Sequence, residues 1–228
     1  LDNKVPSQVQ YSMMLDLMRM LRRSTRWFLR QRTGLNTRDT IDYFAPRLAQ
    51  LQENIGKRLR GEEKEQWSAR QQELVKAGVP EALASTVAAA GSLYAALGII
   101  QTARQTDDKP QRVAEVFYEV GARLELPWLI QQVTRLEVRD GWQAKARDTF
   151  RDDIDRQQLA LTASVLGMEG GPRDSTERVE RWLSQHEGMH QRWRHLLEEV
   201  GSGSQGGFPL FAVAVRELVD LAESNSEA

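Results

Sequence analysis

MMLDLMRMLRRSTRWFLR, residues 13–30, repeats apolar side chains three and four positions apart. That is the period of an α-helix, not the alternation of a strand. Met14, Leu17, Met18, Leu21 and Phe28 share one face, and Met13, Met20 and Trp27, seven apart, form an adjacent stripe. Together they make an arc too broad for a helix lying on one flat surface. The pattern predicts burial on two sides, with Trp27 and Phe28 inside. Opposite stand Arg19, Arg22, Arg23, Arg26 and Arg30, all within about 100° of arc at 3.6 residues per turn. No acid lies between Asp16 and Asp39 to neutralise them.

The same reading extends along the chain. Ala, Leu, Arg, Glu and Gln dominate, and runs of alternating β-branched residues are missing. Pro6 suits the first turn of a helix that runs to Thr33 and ends at Gly34. Thr37 or Asp39 caps the next, to Leu59. Acidic Glu62, Glu63 and Glu65 open a third, which stops near Gly78. Pro80 opens an alanine-rich helix to Ala90, Gly91-Ser92 breaks it, and Leu93–Gln105 continues. Further helices are predicted over Pro110–Leu124, Pro127–Val138 and Trp142–Leu166. The last two run from an Asp174 or Ser175 cap to Val200, and over Phe208–Ala222. The fold class is therefore all-α, a multi-helix bundle or array of about ten helices with short connections. Residues 1–228 read as a single helical domain, with 201–207 a flexible linker before the last helix. Leu1 is not an initiator, and the first Met is Met13, so the reading is of a fragment of a longer polypeptide.

Composition narrows the function. With 40% apolar and 28% charged residues the chain has enough apolar mass for a core. No run approaches the roughly 18 apolar residues that a membrane helix needs. Cysteine is absent, which excludes a disulfide scaffold, a Cys-ligated metal and a thiol nucleophile, and fits a cytoplasmic setting. Charge is asymmetric: residues 1–60 carry twelve Lys or Arg against five acids, and the remainder nineteen against twenty-seven. Arg outnumbers Lys by 25 to 6, which favours fixed ion pairs. Nucleic acid is not the expected partner, because the isoelectric point is about 6.4 and the aromatic residues beside the Arg row read as buried.

Four patterns could carry chemistry, and each has a plainer reading. His186-Glu187-Gly188-Met189-His190 spells the zincin helix, which grips Zn²⁺ with two imidazoles one turn apart. Gly188 weakens the helix, the flanks are polar, and His195 is badly spaced for a third ligand. Glu187 to His190 is half of a di-iron signature, whose second half would need a histidine elsewhere; all three histidines fall between 186 and 195. Gly201, Gly203 and Gly206 match a dinucleotide loop but follow a polar helix, not a strand. Asp148, Asp152 and Asp155 share a helix face with Arg147, Arg151 and Arg156 beside them, which reads as salt bridging. No nucleophile elbow and no Walker-type loop is present. The expectation is no catalytic, cofactor-binding or metal residue in this segment.

Several stretches in order carry a resemblance. They are Leu1-Asp2-Asn3-Lys4-Val5-Pro6, Thr25-Arg26-Trp27, Gly78-Val79-Pro80, Ala95-Ala96-Leu97, and Val116-Phe117-Tyr118 with Gly121. Next come Trp128-Leu129, Arg151-Asp152-Asp153, Gln158 with Leu161-Thr162, and Val213-Ala214-Val215-Arg216-Glu217-Leu218. This set resembles the C-terminal region of the large bacterial NAD-specific glutamate dehydrogenases. The resemblance implies a parent enzyme that oxidatively deaminates L-glutamate to 2-oxoglutarate and ammonia while reducing NAD⁺. The family's catalytic and NAD-binding parts would lie before Leu1. This segment would be a non-catalytic assembly or regulatory domain, partnered by the catalytic core of its own polypeptide within a cytoplasmic homo-oligomer. Arg19, Arg22, Arg23, Arg26 and Arg30 are the expected inter-domain contact. Neither nucleic acid nor membrane is an expected partner. The competing reading is a free-standing helical protein–protein interaction module.

Overall fold

A computed structural model describes residues 5–31, 33–53, 55–202 and 207–224. Among them there are twelve helices and no strand, an all-α array as the periodicity predicts. Contacts group the chain into two compact units, residues 1–114 and 115–228.

The first unit holds α1 (Ser7–Arg30), α2 (Thr37–Gln52), α3 (Ile55–Arg58), α4 (Gly61–Lys76), α5 (Glu81–Ala88), α6 (Ala90–Thr106) and the start of α7 (Pro110–Arg123). α1 lies against α5 and α6, α2 against α6, and α4 against α5. Val5, Met13, Leu74, Val79, Ala84 and Val87 form a buried apolar cluster here. The α4–α5 corner shows how local chemistry sets this packing. Gly78 takes φ +89, a left-handed conformation that glycine adopts without a Cβ penalty. Its N–H then donates to Val75 O (2.9 Å), and the Val79 N–H donates to Leu74 O (3.0 Å). This is a Schellman closure, and its usual apolar contact is present in buried Leu74 and Val79.

Three details differ from the sequence reading. The cap of α2 is Asn36, whose Oδ1 accepts the Asp39 N–H at 2.9 Å, instead of Thr37 or Asp39. The helix expected to reach Leu59 stops at Gln52, and a four-residue α3 follows. Arg58 Nη1 donates to Leu51 O (2.9 Å) and to Glu53 O, taking up carbonyls that the end of α2 leaves open. The break expected at Gly91-Ser92 falls at Ala89, where α5 and α6 bend by 59°. Ala89 and Ala90 are buried at the bend, whereas a side chain on Gly91 would meet open space. Packing of small residues, not glycine flexibility, therefore places the break. Among the described residues no single helix is long and apolar enough to cross a membrane.

The second unit holds the rest of α7, then α8 (Leu126–Arg135), α9 (Gly141–Gly167), α10 (Ser175–Gln185), α11 (Glu187–Gly201) and α12 (Gly207–Glu223). α9 is its spine, in contact with α8, α10 and α12. Leu126, Leu129, Ile154, Leu161, Val165, Trp182, Trp193 and Leu218 are part of its continuous core. Asp140 and Asp174 cap α9 and α10, accepting the N–H groups of Gln143 (2.8 Å) and Glu177 (3.0 Å).

Two buried polar side chains fix the register of these helices. Gln158 Nε2 on α9 donates to Phe117 O on α7 at 2.9 Å. A Cβ at Gly121 would come within 2.4 Å of that same nitrogen, so α7 needs a residue without a side chain there. Arg178 on α10 is buried and donates to four carbonyls around the end of α9: Val165 (2.8 Å), Leu166 (2.8 Å), Met168 (2.6 Å) and Pro172 (3.0 Å). Its guanidinium donates to oxygens at a helix terminus, where intrahelical N–H partners run out; Val165 O also accepts the Met168 N–H, at 3.4 Å.

The helix expected over Asp174–Val200 divides at His186, which has φ −115 and ψ 32. The 201–207 linker expectation falls largely on residues 203–206, outside the described residues; Gly201 closes α11 and Gly207 opens α12.

Candidate contact surface on the first helix

α1 begins after Pro6, and Gln10 Nε2 donates back to Val5 O (2.8 Å), holding the entering chain. It ends at Arg30, short of the expected Thr33, and Gln31 is extended. Gly34 follows with φ +70. Met13 and Trp27 are buried, and Leu17 packs partly against the cluster around Leu74 and Val79. The Trp27 ring meets Phe28 and Phe44 edge-on, with centroids 5.0 and 5.7 Å apart.

The other half of the apolar arc is not covered. Met14, Met18 and Leu21 are exposed by 59, 62 and 63%, and Phe28 is at the exposed margin rather than inside. The expectation of burial on two sides is thus corrected. The Met13–Trp27 stripe, with Leu17 beside it, is inward, because α5 and α6 meet α1 along that side. Periodicity identifies two apolar stripes but carries no information on which one the neighbouring helices cover.

The arginines occupy the arc between the buried stripe and the exposed one. Arg19, Arg22 and Arg30 are exposed; Arg23 and Arg26 are half-buried. The Arg23 guanidinium lies 4.0 Å over the Tyr94 ring, a cation–π contact within the first unit. Arg19 Nη1 is 3.7 Å from Asp16, whose carboxylate also accepts from Arg70 at 2.8 Å. Arg70 further donates to Ser12 Oγ (2.6 Å) and Glu73 (2.8 Å). Burial works against its charge, but hydrogen bonds to Glu73 and Asp16 more than offset this and raise its pKa above the ordinary value. Ion pairing therefore gathers at Asp16, near the first part of the row.

The remaining sequence patterns resolve as follows. His186 stands between α10 and α11, so the two imidazoles of the zincin-like motif are not on one continuous helix. Its Nδ1 lies 2.8 Å from Trp182 O, which makes that nitrogen the donor, and its ring stacks on Trp182 with centroids 4.2 Å apart. His190 is half-buried, and burial, then the Arg194 charge, lowers its pKa below the ordinary value. His195 is 3.7 Å from Glu198. Among the described residues no three of His, Cys, Asp and Glu are placed to hold a metal ion. In the acidic stretch of α9, Arg156 pairs with Asp153 at 2.9 Å. Gly203 and Gly206 of the glycine pattern lie outside the described residues.

A family model described as "Glutamate dehydrogenase, C-terminal" matches residues 1–220. The NAD-specific glutamate dehydrogenase of Halomonas elongata is 95% identical over 228 residues, all of this chain. That of Pseudomonas aeruginosa is 45% identical over 226 residues, 99% of this chain. In both cases the chain spans 14% of the relative's length. A match over nearly every residue fixes the family: the chain belongs to the glutamate dehydrogenase C-terminal family.

Proposed function

We propose that this chain acts as a single non-catalytic helical domain, the C-terminal part of an NAD-dependent glutamate dehydrogenase. The parent enzyme oxidises L-glutamate with NAD⁺ and water to 2-oxoglutarate, ammonia and NADH. The observation that carries the reading is the 95% identity, over every residue of this chain, to an NAD-specific glutamate dehydrogenase. NAD and substrate are bound by the rest of that polypeptide. The segment packs on the catalytic core and steadies a cytoplasmic homo-oligomer. The arginine row Arg19, Arg22, Arg23, Arg26 and Arg30 meets acidic partners in that assembly.

The test uses the full-length polypeptide. Glutamate-dependent NAD⁺ reduction is the expected activity, and its absence overturns the assignment. Replacing Arg22, Arg23 and Arg26 with Gln is expected to reduce oligomer size or glutamate turnover. Unchanged size and unchanged turnover would remove the arginine row from the contact.

A further inference from the structure

Six of the ten large apolar residues exposed among the described residues lie on α1. Five of them, Tyr11, Met14, Met18, Leu21 and Leu29, fall within about 80° of arc at 3.6 residues per turn. They form a stripe about 27 Å long at 1.5 Å per residue. Monomeric proteins seldom leave so continuous an apolar strip in water, and a strip rimmed by charge marks a surface that another element covers. Here the rim is basic, with Arg22 and Arg26 along one edge.

Resting on the family reading above, we propose that the Tyr11–Leu29 stripe is the docking surface for the region of the same polypeptide that precedes this segment. The fitting element is an apolar groove or helix face with acidic residues along one side. Three observations favour this occupant over a second copy. The chain is 14% of the length of its relatives, so the parent holds ample surface outside the matched region. Surface tethered on the same chain is presented at high effective concentration and is met first. Antiparallel two-fold pairing of α1 with itself would set the Arg22 and Arg26 rows side by side, and no acid lies between Asp16 and Asp39 to offset them.

The test places the photo-crosslinking residue benzoylphenylalanine at position 21 of this numbering in the full-length enzyme. The expected product migrates at the mass of one chain, and its linked peptide comes from the preceding region. A product at twice the mass, linked to another copy, overturns the proposal in favour of self-association. So does linkage to a different protein. In parallel, Met14 and Met18 are expected to be oxidised by hydrogen peroxide several-fold more slowly in the native enzyme than in urea. Equal rates overturn the proposal, because the stripe would then be open to water. Glutamate-dependent NAD⁺ reduction by the unirradiated enzyme reads the function separately. Its loss would fail the enzyme assignment while leaving the crosslink map to decide the docking surface.

Discussion

Replacing Arg178 with Met keeps the unbranched stem out to the position of Nε and removes five N–H donors. Four carbonyls then lose the guanidinium: Val165 O through a fully buried bond, and Leu166 O, Met168 O and Pro172 O through half-buried ones. An unsatisfied buried carbonyl costs about 1–3 kcal/mol, and water recovers part of that where it can reach. Val165 O keeps a long bond from the Met168 N–H at 3.4 Å, so four partial penalties of about 1 kcal/mol each give an expected loss of about 3–5 kcal/mol, comparable to breaking other buried charged networks. Urea unfolding followed by tryptophan fluorescence reads this directly, since Trp182 and Trp193 sit in the same core. With a urea slope of about 2 kcal/mol per molar, the midpoint falls by about 1.5–2.5 M. Arg178→Lys should rescue little, because one ammonium cannot span carbonyls that a planar fork reaches on three nitrogens. Hydrogen exchange is expected to quicken first in the last turn of α9. A loss below about 1 kcal/mol, or full rescue by Lys, would show that water serves those carbonyls and that the guanidinium is dispensable.

Gly121→Ala should cost about 2–4 kcal/mol by pushing the Gln158 amide off Phe117 O, and adding Gln158→Ala should recover part of it. A double-mutant cycle with coupling below about 0.5 kcal/mol would mean that the two positions do not meet. Trp27→Ala should cost about 3–5 kcal/mol through lost aromatic packing, and a loss below about 1 in a thermal melt would place Trp27 outside the core. His190 titrates below its ordinary value of 6.5. Its neutral form therefore contributes stability above the unfolded pKa, and this is lost as pH falls through the lower folded value. Between pH 7.5 and 5 the stability of His190→Gln should decline less than that of the parent sequence, and parallel urea midpoints would contradict this.

Helix positions were legible wherever the chain carries its own punctuation. Gly34, Gly78, Pro80 and Asp174 each act within a few residues, so the boundaries they mark lie close to the expected ones. The differences have both tertiary and local causes. The α5–α6 break follows burial of Ala89 and Ala90, and the α10–α11 break follows the seat of His186 on Trp182. The first depends on neighbours brought in by packing, whereas Trp182 and His186 stand four residues apart, so the second contact is local. The arginine row and both apolar stripes of α1 were visible as a pattern, but the exposed stripe was assigned to the interior. Arg178 was passed over entirely, because nothing in the sequence separates an arginine that gathers backbone carbonyls from one that faces solvent. The only hint was indirect: Gly170-Gly171-Pro172 leaves room for it, and a Cβ at Gly171 would stand 2.9 Å from Arg178 Nη1.

The Schellman closure between α4 and α5 also bears on the order in which the first unit assembles. Leu74 and Val79 meet across five residues of chain, so the loop that joins them is about as short as an apolar contact allows. Closing it costs little chain entropy and need not wait for distant segments. The corner is thus a natural nucleus onto which α1, more than forty residues earlier in the sequence, later docks. Stopped-flow kinetics would register this as Leu74→Ala slowing folding while Met13→Ala chiefly hastens unfolding.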